Sequence, residues 1–164
     1  MHITIPPHGA DGWRVRAYPD GTLVDIASGK KYPYLFWEGA AGFVFSDIDS
    51  KGFVVRQSDL DTFLNRKLSE CGLNETEAAA ILLFWLPLLE EYPLLQIYFA
   101  GKGYSDFAPL EVLPPPETVI RVFMVARPLH EEIDLKPQVI STPPRQGFTL
   151  VEWGGTIVDA KADH

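Results

Sequence analysis

Twelve consecutive residues, Ala78 to Leu89, carry no charge. A helix that is apolar on every side cannot stay in water. It must be covered by its own fold or by another molecule. Pro87 lies inside the run and should kink or end a helix there. Twelve residues are short of the ~20 that cross a bilayer core, so the run reads as a core or interface helix. Asn74-Glu75-Thr76-Glu77 before it has the form of a capping box.

A first helix precedes it. Leu60, Phe63, Leu64 and Leu68 recur at helical spacing. Ser58 can cap that helix, Asp59 and Asp61 suit its positive end, and Gly72 should end it. Both flanks of this helical pair change period. Trp13, Val15 and Ala17 alternate with Arg14 and Arg16, as in a half-buried strand. Pro19-Asp20-Gly21 predicts a hairpin leading into Thr22 to Ile26, and Ser28-Gly29-Lys30 a second turn. Phe43-Val44-Phe45 and Phe53-Val54-Val55 flank a polar loop. Further strands are expected at Leu95 to Phe99, Leu110 to Leu113, Thr118 to Arg127 and Phe148 to Trp153. Thr118 to Arg127 is apolar on both faces and should be central. Residues 128–147 hold four prolines and read as an extended connection, and the tail from Asp159 to His164 as frayed. The expected architecture is α+β: a mostly antiparallel β-sheet with a two-helix insertion, about 58–91, packed on one face of a single domain spanning 1–164.

Charge narrows the partners. The net charge is −8, and no basic run exceeds Lys30-Lys31. Nucleic acid and anionic membranes are therefore not expected partners. The single cysteine, Cys71, permits no internal disulfide and reads as a half-buried small residue rather than a reactive thiol. Met1 to Pro7 has neither the basic nor the apolar region of a signal peptide. With no membrane-spanning run, the expectation is a cytoplasmic protein.

Two segments share a chemical signature: Tyr32-Pro33-Tyr34-Leu35-Phe36-Trp37-Glu38-Gly39 and Gly147 to Gly155, which contains Glu152-Trp153. Each sets aromatic residues beside one carboxylate and ends in glycine. Arg121 lies inside the apolar run Val119 to Val125, where a guanidinium needs a carboxylate or several carbonyls. Glu38 or Glu152 is the natural partner, with Trp37 or Trp153 nearby. Tyr34, Trp37, Glu38, Arg121, Glu152 and Trp153 thus form the candidate ligand-binding set. A structural Arg–Glu bridge and core tryptophans are the competing reading, and the commoner one.

The segments Tyr32 to Gly39, Gly52 to Val55, Gly72-Leu73-Asn74, Phe84 to Pro87, Val119 to Val125 through Leu129, and Gly147 to Gly155 resemble the motifs of a family of uncharacterised microbial proteins, bacterial and fungal. The resemblance covers roughly residues 12–156. It implies no cofactor and no catalytic residue. Relatives carry a strand-forming upstream segment, of which Ile3 to Pro7 resembles a remnant.

Other chemistry is poorly supported. Asp47-Ile48-Asp49-Ser50-Lys51-Gly52 begins like a calcium loop, but Lys51 and Ser58 stand where ligands are needed, and a solvated turn fits better. Of the histidines, His2, His8 and His164 lie near the termini, and His130 has no second histidine at zinc-protease spacing. No serine elbow is present, and Gly101-Lys102-Gly103 is too short for a phosphate loop. No metal and no cofactor are expected. Two function classes remain. One is a binding or interaction domain with an aromatic- and Glu-lined pocket for a small ligand or partner, or with a homodimer interface. The other is a small hydrolase-like enzyme, acting on carbohydrate for instance, with Glu38 and Glu152 as acid and base.

Overall fold

The computed structural model describes residues 3–39, 45–142 and 144–159. His2, Phe43, Val44 and the tail from residue 160 lie outside the described residues. The backbone packs as two compact units, Met1–Gly42 and Phe43–His164. Secondary structure is α+β, with mostly antiparallel sheets.

The smaller unit holds β1 (Ile3–Ile5), β2 (Val15–Ala17), β3 (Leu23–Asp25), β4 (Lys31–Tyr32) and β5 (Phe36–Glu38). β2, β3 and β4 form one antiparallel sheet, and β1 pairs with β5. The two predicted turns are present. Gly21 takes φ 86° between β2 and β3, a value that glycine adopts without a Cβ clash. Asp20 Oδ1 accepts the Thr22 amide at 2.9 Å in the same turn. Between β3 and β4, Asp25 Oδ2 accepts the amide and hydroxyl of Ser28.

The larger unit is a four-stranded sheet in the order β6 (Phe53–Arg56), β7 (Leu94–Ala100), β8 (Thr118–Pro128), β9 (Thr149–Ile157). β8 has a strand neighbour on each side, and its two apolar faces are covered by separate layers. The β6–β7 and β7–β8 ladders are antiparallel, and β8–β9 is parallel. A parallel neighbour needs a long crossover, and the proline-bearing connection from Leu129 to Phe148 supplies it. Leu110 to Leu113 forms no strand, contrary to expectation. Pro109 precedes it and Pro114 to Pro116 follow it, so several ladder donors are missing.

The helices are α1 (Leu60–Glu70), α2 (Glu75–Leu89) and a short α3 (Lys102–Phe107). α3 had no counterpart in the sequence reading. Ser58 does not cap α1: Gln57–Asp59 form a 3-10 turn that runs into the helix, and Asp59 at the cap makes no side-chain cap bond. Gly72 closes α1 at φ 87°, with the Leu73 amide on the Leu68 carbonyl. The predicted capping box is formed. Asn74 Oδ1 accepts the Glu77 amide, and Glu77 Oε2 accepts the Asn74 amide, both at 2.9 Å. Pro87 lies inside α2, and the helix runs two residues past it before ending at Leu89.

α1 and α2 cover one face of the sheet. Leu64, Leu68, Ile81, Trp85 and Leu89 meet Leu95, Ile97, Ile120, Val122 and Met124 there. The opposite face is covered as well. Ile48 and Tyr104 pack with Tyr98, Ala100 and Val125. One part of the helix expectation fails. Trp85 is buried and Leu82 half-buried, but Phe84 is 49 % exposed and Leu83 80 %. A helix laid on a sheet has one covered side, and α2 is apolar on the other side too.

Candidate functional site

Arg121 points to the face of β8 opposite α1 and α2, together with Phe123 and Val125. Strand alternation puts it there. The parallel register sets it directly beside Glu152 on β9. Arg121 Nε donates to Glu152 Oε2 at 2.9 Å, and one terminal nitrogen donates to Oε1 at 3.3 Å. The other donates to the Ala108 carbonyl at 2.7 Å. The Tyr104 hydroxyl donates to Glu152 Oε1 at 2.9 Å. The Arg121 and Glu152 side chains are only 9 % and 11 % exposed. The Tyr104 ring stacks on Phe123 and lies 4.9 Å from the guanidinium, close enough for a cation–π contribution.

The electrostatics follow from this packing. Burial pushes the Tyr104 hydroxyl well above its ordinary pKa, and the adjacent Glu152 carboxylate adds to the shift. Burial alone would lower the pKa of Arg121, but the Glu152 hydrogen bonds and charge outweigh it, and the guanidinium stays protonated. Both oxygens of Glu152 are occupied by donors. An acid or base role would require one of them to be released, so the arrangement performs as a buried structural bridge.

Of the six sequence-predicted residues, Arg121 and Glu152 meet. Trp153 packs against Phe84 on α2, with ring centroids 6.2 Å apart. Tyr34, Trp37 and Glu38 belong to the smaller unit. Tyr34 and Trp37 are exposed there, and Glu38 is the register partner of Ile3. The Trp37 ring lies over Gly39, whose absent Cβ would fall 2.8 Å from it.

A groove of about 1010 Å³ opens in the larger unit beside Arg121. Its floor is the start of β8, and one wall is the proline-rich run around Leu110 and Leu113. The other wall is Val139 to Thr142. Gln138 fixes that second wall. Its side-chain amide accepts from the Phe99 amide at 2.9 Å and donates to the Phe99 carbonyl at 2.5 Å. β6 has already ended at this point, so Gln138 takes the place of a neighbouring strand. Leu113 is 80 % exposed and Val139 91 %. Sequence reading missed this groove. The apolar residues held between prolines at 109–116 were the available signal, and they were read as a strand.

Cys71 also lines the groove, but burial pushes its thiol up to about 11, so it is a poor nucleophile. The calcium-like loop is tied up by cations: Lys51 bonds Asp47 at 3.2 Å, and Arg127 bonds Asp49 at 3.0 Å. Among the described residues no cluster of three His, Cys, Asp or Glu could hold a metal ion. Among them, too, no helix is long and apolar enough to cross a membrane. Comparison of the chain with protein-family models, with curated proteins and with solved structures finds no match.

Proposed function

We propose that the larger unit is a binding module whose groove takes a small ligand with an elongated apolar body. The observation that carries this reading is the groove itself. Its volume, about 1010 Å³, is at the upper end of the range for small-molecule sites, which are mostly apolar and largely pre-formed. Leu110, Leu113, Val119 and Val139 leave apolar surface uncovered around it. Arg121 reaches its floor but is already neutralised by Glu152. The site therefore offers apolar contact rather than a free cation. The acid–base alternative gains nothing from this geometry, because Glu152 is held by Arg121 and Tyr104.

A fluorescence titration with pyrene, a neutral apolar probe, tests the reading. Wild type should bind pyrene. Leu113→Asp combined with Val119→Asp should weaken binding about tenfold or more, the equivalent of about 1.4 kcal/mol. A linear fatty alcohol should displace the probe and a soluble sugar should not. Leu83→Glu, on the exposed side of α2, should leave binding intact. Unchanged affinity in the Leu113/Val119 variant would overturn the assignment.

A further inference from the structure

We propose that the open edge of β9 and the outward stripe of α2 form one interface, on which a second copy of this chain docks across a twofold axis. This surface meets the groove only at Leu150, a β9 residue that also lines it.

The stripe comes first. Ala79, Leu83 and Pro87 lie along the side of α2 opposite Ile81, Trp85 and Leu89, and Phe84 and Leu88 lie on its flank, where Phe84 meets Trp153 of β9. Leu83, Phe84 and Leu88 are all exposed. A surface helix normally turns polar side chains to this side. Here no charge interrupts it between Ala78 and Leu89, in a chain of net charge −8.

The strand edge comes second. β9 is nine residues long, and no described strand pairs with its outer side. Proteins normally protect such edges with lysine, proline, a bulge or short length. β9 has none of these. Its one ionisable side chain, Glu152, is turned onto Arg121. The opposite edge of the sheet shows the contrast. β6 is four residues long, and its last residue, Arg56, is ion-paired with Glu132. Beyond its first residue, Phe53, which pairs with Ile97, Gln138 occupies the exposed backbone of Phe99. One edge of the sheet is protected, and among the described residues no strand pairs with the other.

The Phe84–Trp153 contact joins the stripe to the edge, so the two unmet needs form one continuous surface. A nine-residue strand is about 30 Å long. That matches the width of an interface burying ~800 Å² on each partner. A second copy satisfies both halves at once. Two β9 edges related by a twofold pair antiparallel and extend the sheet, and each brings the uncharged flank of α2 beside β9, with Phe84 and Leu88, toward the other. No complementary charge is needed on the partner, and the surface presents none. The acids Glu75, Glu90 and Glu91 sit at the ends of α2. An oblique crossing near Leu83 keeps them apart, so added salt should strengthen association by screening the remaining repulsion.

Sedimentation velocity over roughly 1–100 μM protein tests the proposal, because a Kd in that range is expected of a moderate interface. Wild type should pass from monomer to dimer, at lower concentration in higher salt. Leu83→Glu with Leu88→Glu should remain monomeric while keeping the wild-type circular dichroism. Hydrogen exchange in the wild type provides a check that needs no variant. Amides within residues 149–157 should exchange more slowly as concentration rises. A monomer throughout, a dimer unaffected by the two glutamates, or concentration-independent exchange in β9 would each overturn the proposal. So would a monomer that instead adsorbs to neutral lipid vesicles through Leu83 and Leu88.

Discussion

Arg121 and Glu152 are register partners on β8 and β9, and the 2.9 Å bond between them crosses the parallel ladder of the larger unit. The side-chain bridge runs alongside the backbone bonds that hold the edge strand. It is shielded by the Tyr104 ring and anchored to the Ala108 carbonyl. Each guanidinium nitrogen of Arg121 donates one bond, and a buried pair so partnered costs much to break while adding little net stability.

Arg121→Met should therefore destabilise by about 3–5 kcal/mol, because it leaves the Glu152 carboxylate buried without its cation. Adding Glu152→Gln should recover part of that loss, and the double-mutant cycle measures the coupling. Urea denaturation of the four proteins is the measurement. Additive losses would mean that the pair is not coupled.

Trp85 and Gly155 form a second matched pair. A Cβ at Gly155 would lie 2.6 Å from the Met124 carbonyl oxygen and 2.8 Å from the Trp85 ring. Gly155→Ala should cost about 1–3 kcal/mol through overpacking. Gly154→Ala, whose Cβ would approach nothing nearer than Phe123 at 3.4 Å, should cost clearly less. Thermal melts of the two variants rank them directly.

Trp85 is 93 % removed from water, being 7 % exposed, and its indole N–H has no partner among the described residues. Trp85→Ala should cost about 3–5 kcal/mol. Trp85→Phe keeps most of the apolar volume and removes an unsatisfied donor, so it should cost much less. Equal losses in chemical denaturation would contradict this packing.

Alkaline stability follows from Cys71, whose thiol is shifted from 9.0 to about 11, chiefly by burial. The unfolded chain loses this proton first, so above pH 9 it binds fewer protons than the folded chain. Stability should then fall as pH rises from about 9 to about 11. Tyr98 and Tyr104, both shifted upward, chiefly by burial, act in the same direction. Cys71→Ala should flatten part of the slope seen in urea melts across that window. Native Cys71 should also resist iodoacetamide at neutral pH and react once the chain is unfolded.

The sequence by itself determined whatever depends on near neighbours. The Asn74–Glu77 capping box, the glycine stop at Gly72 and the turn at Asp20-Gly21 follow from backbone chemistry within a few residues. The central place of Thr118 to Arg127 follows from its two apolar faces. Only the tertiary structure decided which partners met across the chain. Arg121 demanded a carboxylate, but the register of a parallel ladder, set by twenty intervening residues without helical period, chose Glu152. Tyr104 joined them from α3, a helix too short and too polar to show a period. The apolar side of α2 was legible in the residues, yet which half would be covered was not. That depends on which side of the helix the sheet meets, and packing through Ile81, Trp85 and Leu89 left Leu83 and Phe84 uncovered.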